Sequence, residues 1–93
     1  MIRSFRDMET ERLFRREPVK KIPVTVRRPG LRKLLILDAA ESLDDLRSPP
    51  GNRLEKLAGD RAGQHSIRVN DQWRIRFKWL NGEPHAVQIV DYH

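Results

Sequence analysis

The chain contains no cysteine. That excludes disulfide staples and any zinc site built on thiolates. It also lacks a long apolar run: nothing approaches the ~18 consecutive apolar residues that a membrane span needs. The stretch from Met1 to Arg16 is charged throughout and has no apolar stretch of the secretory type, so a cytoplasmic protein is expected. Aromatic residues are scarce, at 6%, which leaves the core to aliphatic side chains. Acids are the minority charge. Nineteen Lys and Arg face thirteen Asp and Glu, for a net +6, and arginine dominates the cations. Forked, permanently charged guanidinium groups suit phosphates better than point charges do, so a polyanionic partner is expected, nucleic acid ahead of a membrane.

What is present is enough for one folded domain over residues 1–93. A chain of this size buries roughly two thirds of its unfolded surface. Hydrophobic residues make up 38% and charged residues 34%, but the apolar ones are clustered, which argues against disorder. No internal repeat or low-complexity segment stands out. "MIRSF" predicts a short strand. "DMETERLFRRE" predicts a helix with Asp7 as N-cap, Leu13 and Phe14 inward, and a stop before Pro18. "PVTV" is β-branched and "RRPG" has the composition of a turn. "LRKLLILDAAESL" then predicts a helix with Leu31, Leu34, Leu35 and Leu37 on a broad apolar face and Pro29 in its first turn. Ser42 is placed to cap a short turn at "LDDL", and "RSPPGNR" is a loop.

Beyond the loop the hydrophobic period changes to two. In "QWRIRFKWL", Trp73, Ile75, Phe77 and Trp79 fall on one face and Gln72, Arg74, Arg76 and Lys78 on the other. "HSIRV" before it and "HAVQIVDY" after it complete an antiparallel three-strand meander. The expected fold is therefore α+β: a short N-terminal strand, two to three helices, then the meander, with the helices on one face of the sheet.

Register follows from keeping the core apolar, because directly opposed residues share a face. Ile67 must lie opposite Ile75, which leaves Asn70-Asp71-Gln72 as a three-residue loop and sets Arg68 opposite Arg74 and Ser66 opposite Arg76. In the last hairpin, Ile75 opposite Ile89 and Phe77 opposite Val87 require a three-residue loop, Asn81-Gly82-Glu83. A strict two-residue Asn-Gly turn would instead carry Tyr92 to the core face. With the preferred register, one face gathers Arg68, Arg74, Arg76, Lys78 and Tyr92, with His93 at its edge. A sheet needs a wet face, and charges there are unremarkable. Arg opposite Arg is different: like charges across a strand pair cost roughly 0.2–1 kcal/mol, and an anionic ligand would offset that.

Such a face suits cleavage of an RNA phosphodiester. Attack by the 2′-hydroxyl needs a base, an acid for the departing 5′-oxygen, and cations for the charge that develops on phosphorus. Arginine supplies the cations, and His93 can act as acid or base near neutral pH. Tyr92 carries a phenol, which can donate or accept a hydrogen bond. No metal or other cofactor is expected, since His85 and His93 do not form a recognised ligand spacing. His65 is expected on the sheet surface.

"MIRSF", "LRSPPGNRLEKLAGDRAGQHSIRVNDQWRIRF" and the terminal "VDYH" together resemble the HigB branch of the RelE-like toxins of bacterial type II toxin–antitoxin systems, also called plasmid-maintenance killer proteins. The resemblance spans nearly the whole chain, and its specific parts are the block from Leu46 to Phe77 and the terminal "DYH". It implies a microbial-RNase-type fold and a ribosome-dependent messenger endoribonuclease acting at the A site of the small subunit. It implies a helix-turn-helix antitoxin as partner, with operator DNA reached only through that antitoxin. By motif, Arg74 is the expected transition-state cation and Asp91, Tyr92 and His93 the acid–base cluster. Some relatives carry a histidine where this chain has Glu55, followed by Lys56, so the base is Glu55, His93 or no single residue. Arg53, Arg61, Arg68, Arg76 and Lys78 would hold RNA phosphates. Relatives have two long antiparallel helices, whereas Pro18, Pro23 and Pro29-Gly30 interrupt that region here. A proline in a helix interior costs about 3 kcal/mol. A shortened or kinked second helix, or a mobile segment over 16–28, is expected. The competing reading is a basic RNA- or ribosome-binding module without chemistry. A DNA reader is disfavoured because no recognition-helix pattern is present.

Overall fold

The computed structural model describes residues 1–59 and 63–92. Its elements are α1 (Met8–Phe14), α2 (Val24–Ala39), two 3₁₀ turns (Leu43–Arg47 and Pro50–Asn52), and strands β1 (Glu55–Lys56), β2 (Gln64–Arg68), β3 (Trp73–Leu80) and β4 (Glu83–Asp91). The strands form one antiparallel sheet in the order β1-β2-β3-β4. The α+β architecture is as expected, with the two-residue strand Glu55–Lys56 added at one edge of the meander. "MIRSF" contributes a single parallel bridge, Phe5 with Val87, rather than a full strand.

The helices pack on the sheet face that carries Ile67, Ile75, Phe77, Val87 and Ile89, all buried. Leu13, Ile22, Val26, Leu34, Leu37, Ala40 and Leu46 close the core from the other side. Asp7 caps α1, its carboxylate accepting from the Thr10 backbone N–H at 3.1 Å. Thr10 is fully buried, and its hydroxyl accepts the Ile89 backbone N–H at 3.0 Å. A polar side chain inside the core thus satisfies a donor on the outer edge of β4 that would otherwise be stranded. Ser42 caps the first 3₁₀ turn in a reciprocal capping box with Asp45.

Three expectations are corrected. First, α2 begins at Val24, so "PVTV" and "RRPG" are helical and Pro29 lies in the helix interior. Pro23, at φ −54°, precedes the first turn. Packing outweighs the local cost: a Cβ on Gly30 would lie 3.3 Å from Ile89 Cδ1 and 3.4 Å from Leu13 Cδ2, so the bare glycine lets α2 approach both α1 and β4. The link before α2 is packed as well. Ile22 is buried, and the Glu9 carboxylate accepts from the Lys20 and Lys21 backbone N–H groups. Second, Leu35 faces solvent at 39% exposure, while Leu34 and Leu37 are fully buried and Leu31 is partly buried, so the apolar face is narrower than the leucine run suggests.

The third correction concerns the last hairpin. Its loop is the two-residue Asn81-Gly82 turn, with both residues at positive φ (53° and 77°) and Leu80 opposite Glu83. Such a turn matches the strand twist. Yet Ile75 does pair with Ile89, as expected, and Arg74 with Val90. A register shift between Arg76 and Lys78 reconciles the two, at a bulge where Ala86 adopts φ 51°. The Ala86 N–H leaves the ladder and donates to Ser4 Oγ at 2.9 Å. The extra residue returns the strand to the register that keeps Tyr92 off the core face.

Candidate active site

The register of β2 on β3 is the expected one: Arg68 lies opposite Arg74, Ser66 opposite Arg76 and Ile67 opposite Ile75. Arg68 and Arg74 therefore open onto the face away from the helices. Beside them lies a cavity of about 340 Å³ lined by Arg53, Glu55, Arg68, Asn70, Asp71, Arg74 and Tyr92.

Arg74 is the buried member, its side chain 9% exposed. Its Nε donates to Ser66 Oγ at 2.8 Å, and its Nη2 donates to the Arg53 carbonyl at 2.6 Å and the Ser66 carbonyl at 3.2 Å. Nη1 stands 3.8 Å from Glu55 Oε1 on the cavity side. Burial pushes the pKa of this guanidinium down, while Glu55 and Tyr92 push it up. An arginine remains charged through such shifts, so a desolvated cation is held at the cavity wall with Nη1 near Glu55. The Tyr92 ring lies 5.9 Å from the Arg74 guanidinium carbon.

The strand end that carries Tyr92 is clamped. The Tyr92 backbone N–H donates to the Gln72 carbonyl at 2.6 Å, and Gln72 Nε2 donates to both Asp91 carboxylate oxygens at 3.1 and 3.2 Å. In the preceding loop, Asn70 Oδ1 accepts from the Gln72 and Trp73 backbone N–H groups. Arg68 is paired with Asp71 at the rim of the cavity. Arg53 enters from the second 3₁₀ turn with a left-handed backbone, φ 43°.

Of the residues singled out by sequence, Arg53, Glu55, Arg68, Arg74 and Tyr92 come together. Lys56 does not line the cavity; it lies opposite His65. Arg76 is on the arginine face but half-buried, donating through Nε and Nη2 to Gln88 Oε1 at 3.0 and 2.7 Å. Lys78 is exposed further along β3, opposite His85. Asp91 is turned to Gln72. Arg61 and His93 lie outside the described residues. His65 is not on the wet face: it sits opposite Phe77 on the core side and stacks on that ring, centroids 6.2 Å apart. Sequence reasoning missed Ser66 and Asp71. Ser66 was legible as a diagonal neighbour of Arg74 across the strand pair; the pairing of Asp71 depends on the loop's fold.

The family model described as the RelE-like toxin HigB of type II toxin–antitoxin systems matches residues 3–93. Toxin HigB-1 of Vibrio cholerae serotype O1 is 43% identical over 83 residues, covering 88% of this chain and 87% of that protein. Endoribonuclease HigB of Proteus vulgaris is 31% identical over 93 residues and the full length of both chains. With a membership that covers nearly the whole chain comes a dedicated partner, the antitoxin. The chain belongs to the HigB-like family of RelE-like toxins of type II toxin–antitoxin systems.

Proposed function

We propose that this toxin is an endoribonuclease that cuts messenger RNA on the ribosome, without a metal, by attack of a 2′-hydroxyl on the adjacent phosphate. The observation that carries this reading is the buried Arg74, fixed through Nε and Nη2, with Nη1 near Glu55, on a cavity shared with Arg53, Arg68, Glu55 and Tyr92. A cation already desolvated and oriented needs no reorganisation as charge builds on the phosphate oxygens. Glu55 accepts the 2′-hydroxyl proton from its place at the cavity wall. Tyr92, with His93 beside it in the chain, returns a proton to the departing 5′-oxygen. The products are a 2′,3′-cyclic phosphate and a free 5′-hydroxyl. Arg53, Arg61 and Arg68 hold flanking phosphates, with Arg76 and Lys78 extending the track along β3. Lys56 and Asp91 act from outside the cavity, Asp91 by fixing the strand end through Gln72. The name of the Proteus relative supports the same activity.

The toxin works in the A site of the small ribosomal subunit and is restrained by a helix-turn-helix antitoxin. That antitoxin carries the complex to operator DNA. Arg74→Ala and Tyr92→Phe test the catalytic reading. Messenger cutting on ribosomes should fall about 10²–10³-fold in each, as when an oriented transition-state donor is removed, while ribosome binding stays close to that of the parent. Undiminished growth inhibition by both variants would rule the reading out and favour a binding module.

A further inference from the structure

The floor of the cavity is held from an element that contributes nothing to its lining. Asn52 is fully buried. Its Nδ2 donates to the Leu46 carbonyl at 3.1 Å and the Ser48 carbonyl at 3.2 Å, and its Oδ1 accepts from Lys33 Nζ at 2.6 Å. This set permits one orientation of the amide, because an ammonium has only donors and a carbonyl only accepts. Lys33 belongs to α2, and no α2 residue lines the cavity. The next residue after Asn52 is Arg53, whose left-handed backbone turns its carbonyl onto Arg74 Nη2 at 2.6 Å. A covalent and hydrogen-bonded chain thus runs from α2 through the Leu46–Arg53 loop to the guanidinium.

We infer that Lys33 and Asn52 are positioning residues for Arg74. The Lys33 ammonium fixes the Asn52 amide, the amide gathers the loop by its two carbonyls, and the loop delivers the Arg53 carbonyl that, together with Ser66, sets the guanidinium plane. The backbone bonds of the second 3₁₀ turn are local, from the Asn52 N–H to the Pro49 carbonyl and from the Arg53 N–H to the Pro50 carbonyl, so the ties that reach back to Leu46 and Ser48 come from the Asn52 amide. Misplacing a reacting group by about 1 Å can cost up to 10²-fold in rate. The inference rests on the reading of Arg74 as the transition-state cation.

Lys33→Met keeps the aliphatic stem and removes the ammonium. Single-turnover cutting of ribosome-bound messenger should slow about 10-fold, with the toxin concentration for half-maximal rate changed less than about twofold. Lys33→Arg, still able to donate to Asn52 Oδ1, should recover most of the rate. If the Met variant folds poorly, Lys33→Leu, which also has no donor for Asn52 Oδ1, gives the same comparison. The decisive arm repeats Lys33→Met in an Arg74→Lys chain, which keeps a cation but has no Nη2 to meet the Arg53 carbonyl. There the residual rate should change less than about twofold, because residues acting through one group are not additive. Equal slowing in both backgrounds, or none in the first, overturns the positioning role. Should Arg74→Lys cut as fast as the parent, the assignment of Arg74 itself fails and the inference with it. That outcome differs from one in which Arg74→Lys is slow and Lys33→Met is not.

Discussion

Arg74 and His65 show how position on one sheet decides what a titratable side chain can do. Both belong to neighbouring strands, but Arg74 opens to the wet face while His65 stacks on Phe77 beside the core. His65 Nδ1 is buried without a hydrogen-bond partner among the described residues. Burial first, and Lys56 opposite it second, lower its pKa from the usual 6.5. A histidine lowered in this way is protonated first in the unfolded chain as pH falls. Its contribution to stability is therefore complete above about pH 6.5 and shrinks as pH drops through the folded value. Melting temperature should fall between about pH 7.5 and 5.5, and the fall should be smaller in His65→Phe, which keeps the stacking and loses the titration. An equal fall in both proteins would locate the titration elsewhere. The alternation of "HSIRV" against "QWRIRFKWL" is enough to set His65 opposite Phe77, whereas residue type alone favours the surface for a histidine. Register was the better guide. Register also set Arg68 beside Arg74, but the acceptors that hold Arg74 were hidden, because a main-chain carbonyl such as that of Arg53 has no signature in sequence.

At the scale of the element, the final hairpin shows two local rules pulling apart. Asn81-Gly82 favours the tight turn, and the apolar pairing of Ile75 with Ile89 favours a longer one. The chain satisfies both by spending one residue, Ala86, in a left-handed conformation. That conformation costs an L-residue roughly 1–2 kcal/mol. Ala86→Gly should remove most of the strain, offset in part by the greater freedom of glycine in the unfolded chain, for a gain of about 0.5–1 kcal/mol in urea unfolding. Messenger cutting should not change. A loss of stability would mean that the bulge is held by something other than this backbone strain. The bulge was not legible because the period-two pattern is intact on either side and alanine is not a turn residue. The start of α2 is hidden in the sequence for a related reason. Pro29-Gly30 has the composition of a turn, and only the approach of Leu13 and Ile89 to the bare glycine reveals why a helix passes through it.

For the whole molecule, the excess of arginine and the bulged sheet answer one requirement. The +6 charge draws the toxin to RNA, and the sheet places one of those arginines where it is dry and oriented. Three acceptors on two separate segments, the hydroxyl and carbonyl of Ser66 in β2 and the carbonyl of Arg53 in the loop before β1, accompany its burial. A second clamp, from Gln72 to the end of β4, keeps Tyr92 beside it. The most direct test uses a messenger with a single 2′-deoxynucleotide at the cut, bound in the ribosomal A site with the toxin. Cutting at that bond should fall by at least about 10³-fold, because the attacking oxygen is gone, while toxin binding to the ribosome is unaltered. Cutting at the normal rate would rule out attack by the 2′-hydroxyl, since water or another nucleophile would then be doing the chemistry.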